Sequence, residues 1–396
     1  MAGKESIRFT ALRTPSFFSI SVKLYSSSNH TGILLAPNAF KGSLDAFEVC
    51  SYLAAGLADP RYTLYPLPAG DGGDGTAAIL AYYLKAIPVQ LEAQDPIGRF
   101  HKTTYYRIGD LALIELASIC GLKHLKESEY NVYQAHTAGL GRAINHAQEN
   151  GVRRIWLCVG GSASIDGGSG ALQEMGLQLF KSSDDYSNHI LEIESINPHD
   201  LKEKFKDIAF TVLCDVDTPL CGPQGAAALF GPQKGASAKQ IPLLDQKLKN
   251  YASLLSAYSA KEVSGIKYGG AAGGIAAAFA ALLNAELVSG SAYYLHYSGF
   301  NKLLSRCAWV ITGEGHLDKQ SLYGKIPGVI AKICKQNKVN LLAVCGSAES
   351  GIEDFNRIFE LVSYAPSTTE AILHPELYFP AICQEIKNYL LACPPS

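Results

Sequence analysis

The chain has 396 residues, more than one hydrophobic core normally holds, which points to two domains. Its composition, 47% hydrophobic and 18% charged, excludes a disordered chain. A formal net charge of -2 leaves no electrostatic footprint for nucleic acid or an anionic membrane, so any bound anion is held by local charges and backbone dipoles.

Ten cysteines occur without a Cys-x-x-Cys pair, and several, such as Cys158, Cys334 and Cys345, sit in apolar stretches. That pattern reads as buried thiols in a reducing, cytoplasmic setting. The first thirty residues are basic and serine-rich, with Lys4, Arg8, Arg13 and Lys23 against Glu5 alone. They resemble an organellar transit peptide but lack the apolar core of a signal peptide. Residues 1–31 are therefore read as a disordered extension or a targeting-like segment outside the fold, leaving an organellar location open beside the cytoplasmic one.

The fold is expected to begin at Gly32. Residues 33–36 form a short apolar run stopped by Pro37, as in a buried parallel strand. Ser43 is predicted to cap a helix whose apolar stripe is Leu44, Phe47, Leu53 and Leu57. A second strand over 62–67 runs into the glycine cluster 70–75, and residues 76–84 read as another helix. Strand, glycine turn and helix recur in the same order. Residues 155–159 precede Gly160-Gly161-Ser162, 209–214 precede Asp215, 308–311 precede Gly313-Glu314-Gly315, and 341–344 precede Gly346-Ser347. In open α/β sheets the carboxyl ends of strands face the ligand, and here polar and glycine residues gather at those ends. Residues 184–206, charged and weakly periodic, read as an exposed connection. The uncharged run 268–285, rich in Ala and Gly, reads as a buried helix and not a membrane span.

Several strand-end clusters have the residue types for chemistry on phosphates. Lys41-Gly42-Ser43 places a lysine after a strand and before a helix, suited to a phosphate or carboxylate. Asp71-Gly72-Gly73-Asp74 sets two carboxylates in a glycine loop; Asp71 suits a base or metal ligand, and Asp74 could equally cap the helix. The segment 160–170, with Gly160, Gly161, Ser162, Asp166, Gly167 and Gly168, fits a phosphate cradle of backbone N–H groups and hydroxyls. It is neither a Walker A loop nor a dinucleotide fingerprint. Asp215-Val216-Asp217 follows a strand with two carboxylates two residues apart, which invites Mg²⁺. Lys234, between turn residues, is a second phosphate-binding candidate. Glu314, His316, Asp318 and Lys325 after one strand supply charge, metal ligation and a proton acceptor.

Taken together these segments resemble the bacterial-type glycerate kinase family. The resemblance is carried by residues 36–44, 70–76, 160–168, 214–220, 230–235, 269–274 and 312–325 in that order, and it covers roughly 32–390. It implies an α/β protein of two domains: a doubly wound, Rossmann-like parallel sheet closed by both chain ends (32–85 with 290–396) and a second, inserted α/β domain (86–289). It also implies an enzyme, an ATP-dependent phosphotransferase using Mg²⁺ with D-glycerate as acceptor and, by family habit, 2-phosphoglycerate as product. Transfer would take place in a crevice between the domains. On that reading Lys41 or His316, helped by Ser43 and Lys325, holds the glycerate carboxylate. The 160–170 loop with Lys234 or Lys325 carries the ATP phosphates. Asp215, with Asp217 or Glu314, holds Mg²⁺, and Asp71 or Asp318 is the base. Five positions depart from the family pattern: Asn38 for an aspartate, Ile165 for an asparagine, Leu140 with Arg142 for Thr and Glu, and His316 for an arginine. Histidine, unlike arginine, can lose its charge near neutral pH. Another small hydroxy acid as acceptor, or a degenerate ligand-binding relative, are the alternatives.

Overall fold

A computed structural model describes residues 6–10, 19–23, 30–214, 216–260 and 262–393. The chain divides into two compact units, residues 1–70 with 294–396, and residues 71–293. The crossings thus fall at 70/71 and 293/294, not after 85 and 289 as expected. The helix Thr76–Leu84 goes with the second unit because it packs on the strands Phe100–Ile108 and Leu111–Glu115.

The first unit is built on a five-stranded, all-parallel sheet. Its order is Arg357–Glu360, Asn340–Cys345, Trp309–Gly313, Thr31–Pro37 and Tyr62–Pro66. Residues Ile33, Leu34, Leu35 and Ala36 are all fully buried, so the strand reads as a continuous apolar run because helices cover both faces of the sheet. Ile33 and Leu35 join Val49, Leu53, Ile382 and Ile386 in one core on a single face. The chain proceeds to one side of Thr31–Pro37 early in the sequence and to the other side after Trp309. The topological switch point therefore lies between Thr31–Pro37 and Trp309–Gly313.

Helix Ala46–Gly56 is started by Asp45, not by Ser43. Asp45 Oδ1 accepts the Glu48 N–H at 2.8 Å and Glu48 Oε2 accepts the Asp45 N–H at 2.9 Å, a complete capping box. Residues 40–44 form a tight turn ahead of it, so Lys41 lies on a turn and not at the helix start.

The second unit carries a mixed six-stranded sheet, in the order Glu286–Ser289, Ala209–Cys214, Arg154–Cys158, Leu111–Glu115, Phe100–Ile108 and Ile87–Gln94. The last two strands pair antiparallel as a hairpin at one edge of this sheet. The 268–285 run yields helix Ala271–Leu283, almost wholly buried. Residues 184–206 are not a bare connection. Ile193–Asn197 pairs antiparallel with Gln178–Lys181, and helix His199–Phe205 buries Leu201 and Phe205.

Ser6–Thr10 pairs antiparallel with Ser19–Lys23, so part of the expected extension is a hairpin; the remainder of 1–29 lies outside the described residues. Among the described residues no helix is long and apolar enough to cross a membrane.

Candidate active site

In the first unit the loops after Thr31–Pro37 and Trp309–Gly313 are fastened together by backbone. The Asn38 N–H donates to Gly313 O at 2.8 Å, and Thr312 Oγ1 donates to Ala36 O. Gly313 cannot carry a side chain, because a Cβ there would stand 1.6 Å from Val344 O. These loops, with Gly346-Ser347 from the next strand, border a cavity of about 300 Å³ that includes Lys41, His316, Ser347 and Phe40. Lys41 and His316 are exposed, and His316 Nδ1 lies 2.8 Å from Ser347 Oγ. An ammonium, an imidazole and a hydroxyl on one wall can hold an anion.

Other expected members of this set are engaged differently. Ser43 Oγ donates to Ile372 O at 2.6 Å, so its proton ties the turn to the 368–373 helix instead of meeting a ligand. Asp318 Oδ1 accepts both the N–H and the hydroxyl of Ser321, at 2.7 and 2.8 Å. Burial pushes its carboxyl up, but the Ser321 bonds and the charges of Lys325 and His316 outweigh this and hold it below the ordinary range. That makes Asp318 a turn-forming carboxylate and a weak proton acceptor. Glu314 is 9% exposed, with Lys325 Nζ 3.9 Å from its Oε2.

In the second unit the structure brings the Asp71 loop beside the Gly160 loop. The Gly160 N–H donates to Gly72 O at 3.1 Å, and a Cβ on Gly161 would lie 3.9 Å from Asp74 Cβ. Asp71 is 8% exposed and its Oδ1 accepts the Gly73 N–H, while Gly72 packs on the backbone of Leu213 and Cys214. Asp74 does not cap helix Thr76–Leu84, whose first amides are served by another group. Glu115, at the end of Leu111–Glu115, accepts the Ala77 N–H on Oε2 at 3.1 Å. Lys123 Nζ lies 2.8 Å from Asp74 Oδ1 and 3.9 Å from Glu115 Oε1. Burial first, then the Asp74 charge, pushes the Glu115 carboxyl up to about 7, against the pull of Lys123 and the amides of Gly75 and Ala77. Glu115 and Lys123 escaped sequence reasoning. The first was signalled as an acid ending an apolar strand; the second had no local signal.

Much of the 160–170 segment turns its amides inward. A cradle needs N–H groups turned outward, whereas the amides of Gly160, Ala163, Gly167, Gly168 and Gly170 all donate to internal acceptors. Asp166 is fully buried and organises the loop, accepting from Thr137 N–H and Oγ1, Ser164 Oγ, and the amides of Gly168 and Gly170. A buried carboxylate so placed would repel a phosphate, so its expected role is corrected to a structural one. Gly167 and Gly168 are glycines for packing, their missing Cβ atoms facing Tyr251 and Ile275 at 2.8 and 2.7 Å. Lys234, 3% exposed, donates to Ser162 Oγ at 2.6 Å and Ser164 O at 2.7 Å. Its charge lies beneath the loop and is not presented at the surface. Gly161 is half-exposed.

Of the expected metal pair, Asp215 lies outside the described residues. The Asp217 side chain is 59% exposed and 3.7 Å from Lys267 Nζ, a cation where a metal was expected. Among the described residues no group of three or more His, Cys, Asp or Glu side chains is gathered for a metal. Of the departing positions, Arg142 donates to Glu92 O and sits over the Phe100 ring, and Ile165 and Leu140 are fully buried. These three serve packing. Asn38 and His316 remain at strand ends.

Residues 33–391 match the glycerate kinase family. A glycerate kinase of Halalkalibacterium halodurans is 34% identical over 355 residues, 86% of this chain and 93% of that protein. The glycerate 2-kinase of Escherichia coli K12 is 32% identical, covering 80% and 85% of the two chains. A solved chain from Salmonella typhimurium LT2, assigned as a glycerate kinase 2, superposes with a TM-score of 0.74 at 31% identity, over 92% of this chain and 99% of that one. Matched along nearly its whole described length, and with polar loops at the carboxyl ends of its parallel strands, the chain belongs to the glycerate kinase family.

Proposed function

We propose that this chain transfers the γ-phosphoryl group of ATP to a hydroxyl of D-glycerate, giving 2-phosphoglycerate. The observation that carries the reading is the set of strand-end groups, Lys41 and His316 with Ser347 in one unit, Asp71 with Asp74, Glu115 and Lys123 in the other. In the reaction the acceptor oxygen forms a bond to the γ-phosphorus, the bond to the β,γ-bridging oxygen breaks, and ADP leaves. The hydroxyl proton passes to Asp71, the carboxylate better suited to it than Asp318. Positioning and charge neutralisation supply most of the acceleration, so the base carries secondary weight. Lys41 and His316 supply the anion-holding charge of the first unit, and Lys234 places positive charge under the 160–164 loop.

The donors at the second unit's strand ends are carboxylate oxygens, the ligand type Mg²⁺ prefers. Asp215 would hold it, and when bound it would neutralise charge on the phosphates. The eight buried thiols among the ten support a reducing, cytoplasmic setting.

A coupled ADP-release assay with Mg-ATP and D-glycerate, with phosphorus NMR of the product, tests the reading. Turnover with a 2-phosphate signal supports it, and a 3-phosphate signal corrects the product. Turnover only on a larger hydroxy acid would move the acceptor assignment, with Asn38 and His316 as the positions to exchange first.

A further inference from the structure

The cavity of the first unit has a lining that glycerate does not explain. Besides Lys41, His316 and Ser347, its wall includes Phe40, Leu361, Val362, Ala371 and Ile372. Glycerate is three carbons carrying a carboxylate and two hydroxyls. Setting those hydroxyls against five apolar side chains would leave them without partners, which costs free energy and gains none from burial. A further hydroxyl of the wall, Ser43 Oγ, is already engaged in donating to Ile372 O. About 300 Å³ is the lower end of the range for sites that enclose most of a mid-sized organic ligand.

We infer that this cavity is the site of the adenosine moiety of ATP, with Lys41 and His316 at its polar side meeting the phosphate chain and not the glycerate carboxylate. The inference rests on the kinase reading above and assigns one half of its co-substrate. Three features of the wall fit a flat heteroaromatic ring joined to a ribose. Phe40, Leu361, Val362, Ala371 and Ile372 offer apolar contact to the ring faces. Gly315 and Gly346 line the wall without side chains and leave bare backbone there for the ring to approach. The position also fits, since the cavity lies at the carboxyl ends of Thr31–Pro37 and Trp309–Gly313, at the switch point of the sheet, where open α/β sheets bind nucleotides. The cation on the wall, Lys41, suits an anionic tail leaving an otherwise apolar pocket.

Adenosine itself, which has no phosphate, is the probe. Thr368→Trp and Ile372→Asp alter two exposed side chains of the cavity wall, one by filling it and one by adding a charge. Both should unfold at the wild-type temperature. The expected result is an adenosine Kd and an ATP KM each raised about tenfold or more, equivalent to about 1.4 kcal/mol, with the D-glycerate KM within about twofold of wild type. A rise in the D-glycerate KM with the ATP KM unchanged would overturn the assignment, as would no change in either. Photolabelling of the wild-type protein with 8-azidoadenosine needs no substitution: label in peptides spanning 38–44 or 357–373 supports the site, and label confined to 71–293 overturns it. If adenosine binds here but D-glycerate is not phosphorylated, the acceptor reading fails and the nucleoside site stands.

Discussion

Replacing Glu115 by glutamine isolates one buried carboxyl whose behaviour follows from its surroundings. Glu115 is 6% exposed, beside Asp74, and its ionised form is disfavoured first by burial and then by that neighbour. Its displacement from an ordinary 4.5 to about 7 is equivalent to about 3 kcal/mol. The folded value lies above the unfolded one, so the native state holds the proton more tightly. The stability this contributes is whole below about pH 4.5 and is lost as the pH climbs through about 7. The glutamine of Glu115→Gln would be neutral throughout and would still accept the Ala77 N–H through its amide oxygen. The stability of the wild type relative to the variant should therefore fall by about 3 kcal/mol between about pH 4.5 and pH 8. Because two units can unfold separately, the signal must report the second alone. The chain has two tryptophans, Trp156 in the second unit and Trp309 in the first, so Trp156 fluorescence in a Trp309→Phe background serves in urea titrations. Parallel stability curves for the two proteins across this pH range would refute the reasoning. They would mean that Lys123 and the helix amides keep Glu115 ionised in the native state.

Three further outcomes are expected. Asp166→Ala strips the acceptor from five buried donor groups and should destabilise the second unit by about 3 kcal/mol or more; a loss under about 1 kcal/mol in the Trp156 transition would contradict its role as the organiser of the loop. Gly273→Ala meets both a left-handed backbone (φ 74°) and Ser164 O at 2.4 Å, so the melting temperature should drop, with a cost of about 1–3 kcal/mol from the backbone alone. Asp71→Ala should lower kcat by about a hundredfold or more, the usual weight of a general base, while Asp318→Ala lowers it by less than about tenfold; the reverse ranking would return the base to the first unit.

The alternation of apolar runs with glycine and polar loops was legible in the sequence because it is local. An apolar segment ending at Pro37, Gly160, Gly313 or Gly346 reports a buried strand and the end that faces a ligand. The placement of Lys41, Asp71, Glu314 and His316 at such ends came from that pattern. Other features were hidden because the competing choice is settled between neighbours. Ser43 and Asp45 are both good caps, and only the geometry of the 40–44 turn hands the helix to Asp45 with Glu48. The antiparallel hairpin Ile87–Gln94 with Phe100–Ile108 alternates in burial as an edge pair does, and it was masked by the stronger parallel pattern around it.

What each polar side chain is spent on was decided by tertiary structure alone. A glycine-rich segment with Ser and Asp reads the same whether its amides point outward to a phosphate or inward to Asp166, and the choice depends on Thr137, 29 residues away. Lys234 reads from the sequence as a lysine between turn residues, and only the fold sets its ammonium 2.6 Å from Ser162 Oγ, 72 residues distant. Glu115, Asp74 and Lys123 become one electrostatic group only because strand, loop and helix converge. Sequence determines which groups stand at the strand ends, since that is a matter of local periodicity. Their charge states and partners follow from distances of a few ångströms between segments far apart in the chain, and only the folded structure sets those.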